Sequence, residues 1–194
     1  MNGTRTNNTH FIGILVPEEL EDVVADCRAW MQQQYGCKSG YGTPAHITLV
    51  APFTLPEKYG VSQLKAAIAE GVADCAEQGQ LPFAARVNGF GAFSERTLFA
   101  HVEDSSAWQQ VHSAIFHSCA TALPGMLPPS KRRYVPHLTV ANRDIPTGAI
   151  DRALSHFSEL NLDISFDACD VALFVRTQRG GWTIGDVFGG DSCR

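Results

Sequence analysis

His46-Ile47-Thr48-Leu49 and His137-Leu138-Thr139-Val140 share one pattern: histidine, aliphatic residue, threonine, aliphatic residue. Side chains point alternately to the two faces of a β-strand. In each copy, the histidine and the threonine therefore share one face, and the two aliphatic residues occupy the other. Two such strands side by side would direct two imidazoles and two hydroxyls into one cleft. A single copy would be interpreted as a half-buried strand with polar residues facing water, but the repeat favours a functional pair.

The segments around the two copies follow the same order, so that each half of the chain reads strand, helix, motif strand, helix, strand. Apolar runs predict the strands, and apolar residues at helical spacing predict the helices. In the first half these are a strand at 11–16, a helix opened by Pro17 and ended by Gly36, a helix that Ser62 could cap, and a strand from 83 towards 91. In the second half they are a strand at 98–102, a helix capped within 104–106, a helix around 150–157, and strands at 162–166, 171–175 and 182–188.

Internal duplication is the economical explanation of this order, because the copies lie nearly half of the 194-residue chain apart. We expect a flexible leader at 1–9 and a single domain at 10–194, with duplicated halves at about 10–95 and 96–194. The predicted fold class is α+β. Two pseudo-symmetric lobes, each a small and mostly antiparallel sheet backed by helices, would bring the motifs face to face.

Composition narrows the class of protein. Hydrophobic residues make up 44% of the chain and charged residues 18%, and the net charge of −5 argues against a general nucleic-acid coat while allowing a local phosphate site. The six cysteines show no paired spacing, which favours reduced thiols over a disulfide frame or a zinc site. No signal peptide and no membrane-length apolar run is present. We therefore expect a cytoplasmic protein, monomeric and without an obligate protein partner.

The residue types in the motifs suit proton transfer around an anion. Histidine accepts or donates a proton near neutral pH, so a pair can provide a base on one side of a phosphorus atom and an acid on the other. Threonine hydroxyls can donate hydrogen bonds to phosphate oxygens and stabilise charge in the transition state. No cofactor and no metal is expected, because the motif strands offer two histidines and no carboxylate.

The stretches 44–49 and 134–141 resemble the two motifs of the two-histidine (2H) phosphoesterase superfamily, and within it the bacterial 2′-5′ RNA ligase-like or RNA 2′,3′-cyclic phosphodiesterase group. The resemblance extends over nearly the whole chain, although Ala45 separates the proline from the histidine in the first motif. It implies a bilobal fold with a V-shaped cleft and metal-independent opening of cyclic phosphates. It also implies that His46 and His137 are the catalytic pair and that Thr48 and Thr139 hold the phosphate.

Lys131-Arg132-Arg133-Tyr134 is the densest basic cluster of the chain and directly precedes the second motif. We consider Arg133 and Tyr134 as substrate-binding residues, Arg133 for an anion and Tyr134 for stacking on a base. The alternatives are a solvated loop and a tyrosine that faces the core. Phe53 and Trp182 could also stack on a base, but core packing is the favoured interpretation for both.

The leading functional hypothesis is a cyclic phosphodiesterase that acts on an RNA 3′ end or a small nucleotide, with reverse 2′-5′ ligation as a further activity. The alternatives are a non-catalytic RNA- or nucleotide-binding module and a metal-dependent hydrolase. The sequence leaves open which phosphodiester is cut, whether the product is a 2′- or a 3′-phosphate, and which histidine is the acid.

Overall fold

The computed structural model describes residues 8–40, 42–128 and 133–189, which form eight β-strands and four α-helices. The strands and helices predicted from the sequence are all present. In chain order they are β1 (His10–Leu15), α1 (Glu18–Tyr35), β2 (His46–Phe53), α2 (Val61–Glu77), β3 (Phe83–Phe93), β4 (Thr97–Val102), α3 (Ser106–Ala122), β5 (His137–Asn142), α4 (Ala149–Ser158), β6 (Asp163–Ala168), β7 (Val171–Arg176) and β8 (Trp182–Phe188).

The strands form one antiparallel sheet in the order β6-β3-β4-β5-β2-β1-β7-β8. We call β2-β1-β7-β8 the first half-sheet and β5-β4-β3-β6 the second. The two motif strands, β2 and β5, meet at the centre, where their only registered pair is Ile47 with Leu138. The other neighbouring strands pair over five or more residues. The expected α+β fold with two pseudo-symmetric parts is therefore confirmed, with the parts joined by a short central contact.

The half-sheets do not coincide with the two halves of the chain. β3, which ends the first half, pairs with β4 and β6 in the second half-sheet. β7, from the second half, pairs with β1 in the first half-sheet. The exchange is reciprocal: β3 flanks β4 as β7 flanks β1. The division at about residue 95 thus describes the sequence repeat, and each half-sheet needs strands from both repeats.

Local signals fix the ends of the first helix. Pro17 is the N-cap of α1, and Gly36 ends the helix in the left-handed conformation, with φ of 71°. The expectation that Ser62 caps α2 is wrong. Gly60 is the N-cap, and the Gln63 side chain accepts a hydrogen bond from the Gly60 N–H at 2.8 Å. Glycine is also an acceptable N-cap residue, so the serine two positions later falls inside the helix.

The helices pack against one face of the sheet. The apolar members of the motifs, Ile47, Leu49, Leu138 and Val140, are buried there in the core clusters that contain α1 to α4. The other face, which we call the open face, carries a small cluster of Phe11, Ala172 and Phe174. The thiols of Cys27, Cys37, Cys75 and Cys119 are free and buried. Over the described ranges, no helix is long and apolar enough to cross a bilayer.

Candidate functional site

The central register brings the polar side chains of the two motifs together. Because β2 and β5 run antiparallel with Ile47 opposite Leu138, the adjoining positions place His46 opposite Thr139 and Thr48 opposite His137. Ile47 and Leu138 are fully buried on the helix side, so these four side chains point to the open face. Residues directly opposite have Cβ atoms about 4.5–5.5 Å apart, and diagonal ones about 7–8 Å. We call these four residues the motif patch.

Each imidazole of the motif patch is held by a backbone carbonyl two residues upstream. Nδ1 of His46 lies 2.8 Å from the Pro44 oxygen, and Nδ1 of His137 lies 2.8 Å from the Val135 oxygen. A carbonyl oxygen can only accept, so Nδ1 must carry the hydrogen in both rings. In the neutral rings, each Nε2 therefore has a lone pair that can accept a hydrogen bond from a ligand. Both histidines are in the same tautomer.

Both histidines are harder to protonate than a free imidazole. Burial lowers the pKa of His46 to about 4; the bond to Pro44 opposes this shift, and the charges of Arg28 and His137 add to it. Burial also lowers the pKa of His137, against the bond to Val135. At pH 7 both rings are therefore neutral in the free protein. Burial is the main cause that keeps His46 neutral, and the positive charge of Arg28 adds to it.

Phenylalanine rings surround each imidazole. The ring centre of His46 lies 4.5 Å from that of Phe11 and 4.7 Å from that of Phe174. On the other side, His137 lies 5.0 Å from Phe93 in an edge-on arrangement. Phe174 on β7 and Phe93 on β3 occupy the exchanged strands, so the exchange of strands supplies an aromatic neighbour to each histidine. These rings fix the imidazoles and remove water from them, which is the cause of the lowered pKa values.

Helix α1 anchors the start of β2. The buried Arg28 donates to the Thr43 oxygen at 2.5 Å and, across the centre of the sheet, to the Thr139 oxygen at 3.0 Å. The Glu21 carboxylate accepts from the Ala45 N–H at 2.7 Å. The backbone on both sides of Pro44, whose oxygen orients His46, is thereby held by one helix. Arg28 also links the segment before β2 to the second motif, through its hydrogen bonds to Thr43 and Thr139.

The contacts of Arg133 and Tyr134 are with residues outside the motif patch. Arg133 is exposed and forms an ion pair with Asp104. The Tyr134 ring stacks on His112 of α3 with 4.3 Å between ring centres, and its hydroxyl is buried without a hydrogen-bond partner among the described residues. Their contribution to substrate binding stays a prediction, and Lys131 and Arg132 lie outside the described residues.

The two other aromatic candidates differ in their surroundings. Phe53 is buried in the main core. Trp182 is partly buried on the open face, where its ring centre lies 4.8 Å from that of Phe11 and the Arg176 guanidinium lies over it. Trp182 is therefore near His46, whereas Phe53 belongs to the core.

The sequence does not predict the roles of two residues of the site, Arg28 and Gly13. Arg28 interrupts the apolar stripe of α1, which is a detectable anomaly, but its partners could not be inferred. Gly13 is needed because a Cβ there would lie 3.0 Å from the Ile47 oxygen and 3.4 Å from the His46 ring. Gly13 lies close to His46 because of the register between β1 and β2, and the apolar pattern of the sequence does not predict that register. Within the described ranges, no group of three or more His, Cys, Asp or Glu residues could hold a metal ion.

The pKa values of the two histidines can be measured directly by NMR titration of the imidazole signals. We expect His46 to titrate near pH 4 and the pKa of His137 to lie below that of a free imidazole. Arg28→Met should raise the pKa of His46, because it removes a neighbouring positive charge. Lys58→Met, which removes an exposed lysine, is the control and should leave it unchanged. Because Arg28 is buried and its replacement can disturb folding, His137→Gln provides a second variant. We expect it to raise the pKa of His46 as well, since it removes the charge of His137. A midpoint for His46 at or above 6.5 would contradict this account of the site.

The fold is shared with solved structures of low sequence identity. The crystal structure of TT0787 from Thermus thermophilus is 19% identical and has a TM-score of 0.66, covering 93% of this chain and 97% of that one. Escherichia coli LigT complexed with 3′-AMP is 16% identical with a TM-score of 0.61, covering 95% and 98%. LigT complexed with ATP is 14% identical with a TM-score of 0.58, covering 94% and 97%. At these identities the likeness shows the fold.

Sequence comparison identifies the family. No curated protein sequence matches the chain. The model of the 2′-5′ RNA ligase superfamily matches residues 16–180, which include both motifs and all four helices. The resemblance to the two-histidine phosphoesterases is thus confirmed, and the protein belongs to the 2′-5′ RNA ligase superfamily.

Proposed function

We propose that the protein is a metal-independent cyclic phosphodiesterase that opens the 2′,3′-cyclic phosphate of an RNA 3′ end or a small nucleotide. The observation that carries the proposal is the motif patch, where two imidazoles and two threonine hydroxyls share one surface and neither Nε2 atom has a hydrogen-bond partner among the described residues. This arrangement provides a base, an acid and two hydrogen-bond donors around one phosphate. Membership of the 2′-5′ RNA ligase superfamily supports the same reaction class.

The substrate class is proposed from chemistry and from the relatives. E. coli LigT was crystallised with 3′-AMP, ATP and NADP⁺, which are all nucleotides. The two imidazoles and two hydroxyls of the motif patch suit a single phosphate group. His46 and His137 are diagonal neighbours, and the usual separation of about 7–8 Å for such a pair leaves room for a phosphorus atom and its oxygens. A phosphate ester at a nucleoside end fits both observations.

The reaction is proposed to use one proton held by the pair. When the anionic phosphate binds, its charge favours protonation of a neighbouring imidazole. Burial and Arg28 keep His46 neutral, so we assign His137 as the acid and His46 as the base. His46 Nε2 takes a proton from water as the water oxygen forms its bond to phosphorus. The bond to the 2′ or 3′ oxygen breaks, and His137 Nε2 gives its proton to that oxygen.

The threonines hold the phosphate while charge builds on its oxygens. Thr48 and Thr139 lie one strand period from the histidine of their own motif and opposite the histidine of the other. Their hydroxyls can donate to the non-bridging oxygens, and donors aimed at developing charge stabilise the transition state. If a nucleoside 5′-hydroxyl took the place of water, His46 would take its proton as its oxygen forms the bond to phosphorus. The bond to the 3′ oxygen would break with a proton from His137 and leave a 2′-5′ bond, which is the proposed ligation.

Substitution of the motif patch tests catalysis. His46→Ala and His137→Ala should each lower turnover of a nucleoside 2′,3′-cyclic phosphate by about 10²–10⁴-fold. Thr48→Val and Thr139→Val, which delete the donor and keep the shape, should lower kcat by about 10–10³-fold. The control is His117→Ala, an exposed histidine of α3, with wild-type activity expected. Retained turnover in either histidine variant would remove that residue from catalysis. Nucleotide binding without any turnover in the unmodified protein would favour the non-catalytic binding module.

Dependence on metal separates the proposed mechanism from a metal-dependent hydrolase. We expect the rate to be the same before and after exhaustive dialysis against a strong chelator, because acid, base and phosphate donors are all side chains of the motif patch. The comparison is the same preparation with zinc or manganese added back. Loss of activity in chelator that either metal restores would contradict the proposed mechanism.

A further inference from the structure

The pseudo-symmetry of the site breaks at one position next to each histidine. On the first half-sheet, the residue opposite His46 on β1 is Leu15, which packs beside Phe11 and its neighbours. On the second half-sheet, the residue opposite His137 on β4 is His101. His101 therefore lies on the open face, beside His137 and on its far side from β2. Directly opposite residues have Cβ atoms about 4.5–5.5 Å apart, so this third imidazole borders the motif patch.

His101 is exposed, yet a chain of hydrogen bonds orients it. Its Nδ1 lies 2.7 Å from Oδ1 of Asn88, and Nδ2 of Asn88 donates to the Glu103 carboxylate at 2.6 Å. Arg86 contacts the same carboxylate at 3.1 Å and binds Asp163 in a bidentate fashion at 2.6 and 2.7 Å. A chain of four polar residues therefore orients the exposed His101 ring.

The direction of these bonds places a hydrogen on Nδ1 of His101. The Glu103 carboxylate accepts, so it receives the Asn88 amide hydrogens and turns the Asn88 oxygen towards His101. That oxygen also only accepts, so His101 carries its hydrogen on Nδ1. The Nε2 lone pair is left without a hydrogen-bond partner within the described part of the chain. The second half-sheet thus presents an oriented hydrogen-bond acceptor next to His137.

The charges near His101 indicate which kind of chemical group it can bind. Arg86 is one cation between two carboxylates, Glu103 and Asp163. Arg86 and these two carboxylates together carry one net negative charge, which disfavours a second phosphate and favours a neutral group that donates a hydrogen bond. Hydroxyl and amino groups of a nucleoside are such donors.

We propose that His101 binds the nucleoside part of the substrate, accepting a hydrogen bond at Nε2, while the motif patch holds the phosphate. Asn88 is the positioning residue that keeps His101 in the Nδ1–H form. The four residues of the motif patch act on the phosphate, and His101, whose counterpart on β1 is Leu15, determines on which side of the phosphate the nucleoside lies. The assignment rests on the proposed function for its substrate class.

The test is His101→Leu. This variant has leucine opposite His137, as the first half-sheet has Leu15 opposite His46. We expect the KM for a nucleoside 2′,3′-cyclic phosphate to rise about 3- to 10-fold, the usual worth of one hydrogen bond, with kcat changed by less than about twofold. The Kd for adenosine 2′-monophosphate should rise by the same factor. The KM for ethylene phosphate, a cyclic phosphate with no nucleoside, should not change. His117→Leu is the matched control.

Asn88→Ala tests the positioning role with a signal that does not depend on activity. ¹⁵N NMR should show His101 with its hydrogen on Nδ1 in the unmodified protein and on either nitrogen in the variant, with a smaller rise in Kd than His101→Leu gives. An unchanged Kd for adenosine 2′-monophosphate in His101→Leu would overturn the proposal, as would an equal rise in the Kd for inorganic phosphate. If the unmodified protein binds the nucleotide but opens no cyclic phosphate, the proposed function fails and the Kd values still decide the role of His101.

Discussion

The contact between Ile47 and Leu138 is the constraint on which the rest of the structure depends. It is the only registered pair between the two motif strands, and both side chains are fully buried against the helices. Burying these two residues turns the histidine and the threonine of each motif to the open face. A slip of one residue in either strand would send one motif into the core, so hydrophobic burial on one face sets the register of the polar groups on the other.

The two repeats are interlocked around this contact. α1 belongs to the first repeat, but Arg28 donates to the backbone of β5 at Thr139. α3 belongs to the second repeat, and Nδ1 of His112 lies 2.8 Å from the Leu49 oxygen of β2. With β3 and β7 exchanged as well, neither repeat contains a complete half-sheet. The motif patch therefore forms only when both repeats have folded together, which links the geometry of the site to the stability of the whole domain.

The sequence predicts what depends on local pattern. Strand alternation correctly assigned the faces of the motifs, and the apolar spacing and Gly36 located α1. The sequence could not predict which strands pair, because strand order is set by packing between distant segments. For the same reason the phenylalanines beside His46 and His137 and the bond from Arg28 to Thr139 were not predicted. Tyr134 shows the same limit: its place before the second motif allowed both a substrate-binding residue and a tyrosine that faces the core, and the sequence does not specify that its ring packs on His112 of α3.

The central claim is that one phosphate is held by both motifs at once. A crystal structure of the protein with adenosine 2′-monophosphate tests it most directly. The account predicts phosphate oxygens within hydrogen-bond distance of Nε2 of His46 and His137 and of the hydroxyls of Thr48 and Thr139. A phosphate bound by one motif alone, or bound away from the junction of β2 and β5, would contradict it.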